Sequence, residues 1–398
     1  MKVLLLENIH PVAKEKLEQE GFEVDLISHA PGAEEMPELF AKYDAVGIRS
    51  KSKLSSDIIE KASHLLCVGC FCIGTNQVDL AAAKSNGIAV FNAPHSNTRS
   101  VAELVLAEMI VLARQLGDRN TLAHQGKWLK SAKGANEIRG KKLGIIGYGH
   151  IGSQVSVLAE SFGLSVVYYD VMKKLSLGNA HQVESLEQLL SQSDFITLHV
   201  PETPDTKDMI AKEQFDQMKK GSHFINASRG SVVVIEDLVS ALKSKQIAGC
   251  AVDVFPVEPA SNSERFETPL QGLENVILTP HIGGSTEEAQ QSIGLEVAES
   301  ISKFLKAGST AGAVNFPKVD AKMKTGTHRL VNIHKNVPGV LSEVNGIISR
   351  IGANIEGQHL ATDEEIGYLV FDIDASKVEE IATEIRSMEQ SIHTRVIN

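Results

Sequence analysis

The chain has little cysteine, few aromatic residues and no excess of positive charge. Four cysteines cannot staple 398 residues, and three of them, Cys67, Cys70 and Cys72, share one apolar, strand-like run. A metal site would need further ligands converging from a loop, so these read as buried thiols in a reducing compartment, and no metal is expected. The formal charge of −11 argues against a nucleic-acid partner, whose phosphates a basic patch would have to neutralise. The most apolar long segment, 101–113, is interrupted by Glu103 and Glu108. No segment reaches the roughly 18 uninterrupted apolar residues of a membrane span, and residues 3–6 are too short for a signal peptide, which points to a cytoplasmic protein without a membrane partner. What remains is ordinary globular composition, 42% hydrophobic and 22% charged, in a chain long enough for two or three domains.

Apolar runs alternate with helical patterns from the start, at 3–6, 24–27, 45–48, 65–71 and 88–91. That alternation specifies α/β structure with a parallel sheet. A long helical pattern over 100–116 leads to a glycine cluster at 147, and further strand candidates follow at 195–200, 223–226, 248–252 and 276–278. The helical pattern over 287–306 returns to the first domain, and 307–325, rich in Gly, Ser and Thr, reads as a linker with a hinge near 308–312. The last seventy or so residues follow a βαββαβ order, a ferredoxin-like module. The expected architecture is therefore a Rossmann-type doubly wound domain (97–284) inserted in a flavodoxin-like α/β domain (1–96 and 285–325), with a ferredoxin-like domain at 326–398.

The segment 143–170 carries the strongest local signal. It runs from an apolar strand through Gly147-Tyr148-Gly149-His150-Ile151-Gly152 and a helical pattern to a second strand closed by Asp170. This is the length and order of a dinucleotide-binding βαβ unit. Gly147 permits the tight turn, Gly149 lets a pyrophosphate approach the backbone, Gly152 lets the helix close on the strand, and the amides at His150 and Ile151 open the helix toward the phosphates. A carboxylate at position 170 accepts from ribose hydroxyls and repels a 2′-phosphate, so NAD is expected over NADP.

Three polar residues sit just past the later strands: Arg229, Glu258 and His281. In an open α/β sheet ligands bind beyond the carboxyl ends of the strands. Oxidation of a secondary alcohol by NAD needs a base for the hydroxyl proton, a cation for the substrate carboxylate, and a group that tunes the base. His281, Arg229 and Glu258 fit those roles in that order, since histidine titrates near working pH, a carboxylate raises its pKa, and guanidinium grips a carboxylate bidentately.

The 147–152 fingerprint, Asn226-Ala227-Ser228-Arg229-Gly230, the 253–259 segment from Asp253 to Pro259, Thr279-Pro280-His281-Ile282-Gly283-Gly284, and the stretches 70–79 and 91–94 together resemble the D-isomer-specific 2-hydroxyacid dehydrogenases over essentially the whole chain. The resemblance is nearest to the short branch that oxidises 3-phosphoglycerate and answers to L-serine. It implies that Arg229, Glu258 and His281 are catalytic, and that His199, Ala227, Ser228, Asp253, Gly283 and Gly284 line the cofactor. Arg49, Ser50 and Asn97 are implied as substrate contacts, and Trp128 with Lys130 as residues that reach a neighbouring subunit's site. The terminal module is implied to be an ACT regulatory domain that binds serine at His334, Asn336 and Asn354, in a homotetramer. A pocket with one carboxylate on Arg229 and a second anion near Arg49 would also accept 2-oxoglutarate in the reverse direction. Two other readings fit the fold: a dehydrogenase of an unphosphorylated 2-hydroxy acid, against which Arg49 and Lys51 count, and an NAD-sensing corepressor, which would call for disordered interaction tails.

Overall fold

The computed structural model describes every residue except 260, 262, 325, 374–376 and 398. Thr325, the expected end of the linker, and residues 374–376 and 398 of the terminal module therefore lie outside the described residues. The chain divides into two compact units, Met1–Ser96 with Gln290–Asn398, and Asn97–Ala289.

The first unit opens with five parallel strands, β1 (Lys2–Leu5), β2 (Glu23–Leu26), β3 (Ala45–Ile48), β4 (Cys67–Cys70) and β5 (Ala89–Phe91), in the order β2-β1-β3-β4-β5. β3, β4 and β5 are buried along their whole length, as a parallel sheet covered on both faces requires. Cys67 and Cys70 are buried in that sheet, and the four cysteines are free thiols.

In the second unit seven parallel strands form one sheet: β6 (Lys142–Ile146), β7 (Ser165–Tyr169), β8 (His181–Gln182), β9 (Phe195–Leu198), β10 (Ser222–Asn226), β11 (Ile247–Val252) and β12 (Val276–Leu278). Their order is β12-β11-β10-β9-β6-β7-β8, so the direction of winding reverses between β6 and β9. The helices Thr98–Arg114 and His150–Ser161 bury Val105, Met109, Val155 and Ala159 on one face. On the other, Leu189, Phe215 and Leu238 come from three shorter helices. The helical pattern expected over 100–116 is two helices, because Gln115 adopts φ 52° and the chain restarts at Leu116. The two-residue edge strand β8 gave no periodic signal that a sequence could reveal.

The terminal module has four antiparallel strands, β13 (His328–Lys335), β14 (Ile355–Thr362), β15 (Ile366–Ile373) and β16 (Ser391–Ile397), ordered β14-β15-β13-β16. Successive residues alternate faces. Leu330, Leu369, Phe371 and Ile373 meet the helices Val340–Ile351 and Val378–Arg386. Val331, Ile333, Tyr368 and Val370 instead join Phe91, Phe304 and Phe316 in the core of the first sheet's domain. The module is thus fused to its own domain through one sheet face.

The expected hinge is packed. Thr310 is 1% exposed, accepts from the Val319 amide at 2.7 Å and donates to the Pro317 carbonyl at 2.7 Å. Asn315 accepts from Val90 N and donates to Ile88 O, which extends the edge of β5. Arg329, fully buried, forms a bidentate pair with Asp372 at 2.7 and 2.9 Å and donates to the carbonyls of Ala307 and Ala321. A guanidinium in that position is satisfied only if the segment stays folded against the sheet.

Candidate active site

The fingerprint turn shows each glycine's constraint. At Gly147, φ is 90°, and a Cβ would lie 2.5 Å from the carbonyl oxygen of His199; at Gly152 it would lie 2.2 Å from Gly147 O. Gly149 has nothing within 4 Å of a would-be Cβ, and it opens the helix His150–Ser161 without a side-chain cap. Open space beside Gly149 and a helix N-terminus without a side-chain cap, next to the point where strand order reverses, could receive a pyrophosphate. Asp170, at the end of β7, accepts from Tyr148 N and Met172 N, both at 2.8 Å. Its carboxylate therefore braces the glycine turn, with lone pairs remaining for ribose hydroxyls.

His199 follows β9. Its Nε2 pairs with Thr197 Oγ1 at 3.1 Å, while Nδ1 is buried without a partner. Burial pushes its pKa down to about 3, so the ring is neutral near pH 7. An orphaned buried nitrogen in this crevice fits a polar group of a bound nucleotide.

The loops after β10, β11 and β12 bring the remaining candidates together. Asp253, 2% exposed, accepts from Thr279 Oγ1 (2.6 Å), Ile282 N (2.9 Å) and Gly283 N (2.8 Å), and its carbonyl accepts from His281 N (2.8 Å). So held, His281 takes up φ 53°, a left-handed conformation uncommon for a non-glycine residue. Its Nδ1 lies 2.9 Å from Glu258 Oε2 and 3.1 Å from Oε1. Glu258 is oriented in turn by the Phe255 amide at 3.0 Å. The hydrogen bond with Glu258 raises the His281 pKa above its ordinary 6.5, against the opposing effect of burial. For Glu258 burial acts upward, but the bonds from His281 and Phe255 and the charge of Arg229 outweigh it, and its pKa is lowered.

Arg229 donates Nη1 to Ser228 O at 2.7 Å, in a loop fixed by Asn226, whose side chain accepts from Ser228 N and Oγ and donates to Arg229 O. Gly230 lies so close to Phe255 that a Cβ would overlap its carbonyl, which draws the Arg229 loop onto the loop leading to Glu258. Asn97, 9% exposed, packs against Gly284 and leaves its Oδ1 unpartnered. Trp128 is 89% exposed and Lys130 is exposed beside it.

Arg49 and Ser50 belong to the other unit, at the carboxyl end of β3, with Arg49 half-buried and Ser50 exposed. In the terminal module, Asn336 and Asn354 are exposed, donating to Asp363 O and Glu356 Oε1. His334 is 3% exposed and bonded to Asn332 Oδ1 at 2.9 Å, its ring packed on Gly367. Among the described residues no group of three metal-ligating side chains converges, and no helix is long and apolar enough to cross a membrane.

Known proteins resemble this chain along its whole length. The model of the D-isomer specific 2-hydroxyacid dehydrogenase NAD-binding domain matches residues 106–283, and that of the AHAS small subunit-like ACT domain matches 330–393. D-3-phosphoglycerate dehydrogenase of Dictyostelium discoideum is 50% identical over 397 residues, covering 100% of this chain and 97% of that one. The chain belongs to the D-isomer-specific 2-hydroxyacid dehydrogenases. It is an NAD-dependent oxidoreductase with a C-terminal ACT domain. D-3-phosphoglycerate dehydrogenase of Escherichia coli K12 is likewise 50% identical, over 100% of this chain and 97% of its own. The crystal structure of D-lactate dehydrogenase from Aquifex aeolicus, complexed with NAD and lactic acid, superposes with a TM-score of 0.69 at 27% identity, covering 79% of this chain and all of that one.

In the sequence Glu108 is only a charge that interrupts an apolar run. It is 3% exposed, with both carboxylate oxygens unpartnered. Burial, and then the negative charge of Asp253, push its pKa up to about 8 from an ordinary 4.5. The other titratable group facing it, the Cys250 thiol, is itself held neutral by burial. The folded protein therefore keeps Glu108 protonated while the unfolded chain ionises it, and stability falls as pH rises from about 4.5 to about 8. Glu108→Gln removes that dependence. Its melting temperature should match wild type near pH 5 and exceed it by several degrees near pH 8; a difference that stays constant across this range would show that Glu108 does not titrate there.

Proposed function

We propose that the chain oxidises 3-phospho-D-glycerate to 3-phosphohydroxypyruvate with NAD, the first step of phosphorylated L-serine biosynthesis, in the cytoplasm. The observation that carries the reading is the His281–Glu258 pair, set beside Arg229 at the carboxyl ends of the cofactor-domain strands. With Nδ1 held by Glu258, Nε2 of His281 is the atom left to take the proton of the substrate's 2-hydroxyl. Bound NAD would accept the hydride from C2 as that proton leaves. Arg229 grips the substrate carboxylate and polarises the forming 2-oxo group. The 147–152 turn, with the amides of His150 and Ile151, would hold the pyrophosphate, and Asp170 the ribose. His199, Ala227, Ser228, Asp253, Gly283 and Gly284 would surround the nicotinamide end. Arg49, Ser50 and Asn97 would read the substrate's anions, with Trp128 and Lys130 supplied to a neighbouring subunit.

Oxidation requires His281 unprotonated, so kcat/KM rises with pH through its raised pKa. Glu258→Gln withdraws the group that raises it, and the rising limb should move to lower pH. His281→Ala should lower kcat about 10²- to 10⁴-fold with NAD affinity little changed. NADH formation from 3-phosphoglycerate measures both, and an unshifted limb in Glu258→Gln would remove the proposed tuning.

The reading of Arg229 and Arg49 as contacts for two substrate anions extends to the reverse direction. 2-Oxoglutarate, with its far carboxylate in place of the phosphate, should consume NADH where pyruvate does not. Equal rates with both acids would mean that the second anion is not read.

L-Serine is the proposed effector, bound between two adjoining ACT modules of a homotetramer. Support comes from Asn336 and Asn354, exposed amides that offer both donors and acceptors, and from the helix Val340–Ile351, which begins at Gly339 without a side-chain cap. Exposed Trp128 and Leu129, and the helix Leu116–His124, which buries no residue, leave apolar surface for another subunit to cover. Coupling by such a site is typically about 1–3 kcal/mol. Asn336→Ala and Asn354→Ala should each abolish serine inhibition with uninhibited turnover intact; a variant still inhibited at the wild-type serine concentration, or a protein of monomeric mass by light scattering, counts against the shared site.

A further inference from the structure

The first sheet has a reversal point of its own, between β1 and β3, and the residue that leaves β1 there is a carboxylate turned inward. Glu7 is 7% exposed, with φ 60°, and the next residue, Asn8, has φ 52°. Two consecutive left-handed non-glycine residues are costly, so the surroundings must hold them. What holds them is the loop after β3. Glu7 Oε1 accepts from Arg49 N at 3.1 Å and Ser52 N at 2.9 Å, and Oε2 accepts from Lys51 N at 2.9 Å. On the other side, Gln77 Nε2 donates to Arg49 O at 2.9 Å.

A loop at a reversal point usually offers its amides to an anionic ligand. Here three of them are already spent on an internal anion. The loop is therefore left to read an anion with the Ser50 amide and with the side chains of Arg49, Ser50 and Lys51, of which the last two are exposed. Only a carboxylate satisfies the inward amides, because it accepts several hydrogen bonds and donates none. Glutamine would turn an NH₂ toward an N–H, and aspartate is one methylene short.

We propose that Glu7 is a positioning residue that confers preference for a substrate with a second anion, by fixing the Arg49–Ser52 backbone so that its cations stand ready for a phosphate. The inference rests on the reading of Arg49 as the contact for the substrate's far anion. It assigns discrimination between phosphorylated and unphosphorylated 2-oxo acids to a residue that touches neither.

The test uses the full-length protein in the reverse direction, with NADH and either 3-phosphohydroxypyruvate or hydroxypyruvate. Glu7→Gln should raise KM for the phosphorylated acid by about tenfold or more, the loss expected when charge-assisted bonds are removed. KM for hydroxypyruvate, KM for NADH and kcat should remain within about twofold of wild type. Glu7→Asp should show a smaller rise confined to the phosphorylated acid, and it decides the matter if Glu7→Gln does not fold. A folded variant in which both acids lose equally, or in which selectivity is unchanged, overturns the role of Glu7. A wild-type protein that does not prefer the phosphorylated acid overturns instead the reading of Arg49 on which the proposal stands.

Discussion

The buried carboxylate of Asp253 is the constraint on which the pairing of His281 with Glu258 depends. It sits where β11 ends and collects Thr279 Oγ1 and the amides of Ile282 and Gly283, while its own carbonyl takes the His281 amide. Those bonds reach across to the loop that follows β12 and press it into a tight path. His281 is forced into left-handed backbone space at the centre of that path, and its ring is thereby delivered to Glu258. An isolated loop of this sequence would not hold such a conformation, because each left-handed residue costs free energy that only surrounding bonds can offset.

The same device recurs at other strand ends. A parallel strand leaves the following loop with amides that no ladder satisfies, and in this chain carboxylates take them. Asp170 braces the glycine turn through Tyr148 N and Met172 N, and Glu7 holds the loop that carries Arg49 and Lys51. Each of these acids fixes backbone first: Asp170 keeps lone pairs free beyond its two amides, whereas Glu7 leaves ligand contact to the loop it holds. Glu108 is the exception: a buried acid with no donor, kept neutral by its surroundings.

The ACT module uses both faces of its sheet within the chain. Helices cover one face, and the other merges with the core beneath Phe304 and Phe316. The Arg329–Asp372 pair, with its bonds to the carbonyls of Ala307 and Ala321, closes the connecting segment over that seam. Arg395 adds to it by lying over the Phe304 ring, 4.3 Å from its centroid. A signal from this module meets a packed surface and not a loose tether, so a change in its state has to be accommodated by side chains already in contact.

Local pattern was enough for much of this protein. The glycine fingerprint, the strand that precedes it and Asp170 are contiguous or spaced by one helix, so their chemistry is written in the order of the residues. The alternation of strands and helices, and the βαββαβ order of the last module, are likewise legible because hydrophobic period records which face of an element is buried. Arg229, Glu258 and His281 could be singled out because ligands in such sheets bind beyond the strand ends. Tertiary structure alone decided the rest. That Glu7 belongs to Arg49, that Asp253 belongs to Thr279, and that Asn315 belongs to Val90 depends on partners 42, 26 and 225 residues away. Periodicity carries no record of such pairings, since an acid that accepts three amides and an acid that faces water look alike in one dimension. Sheet order puts them together, and burial then fixes what each must do.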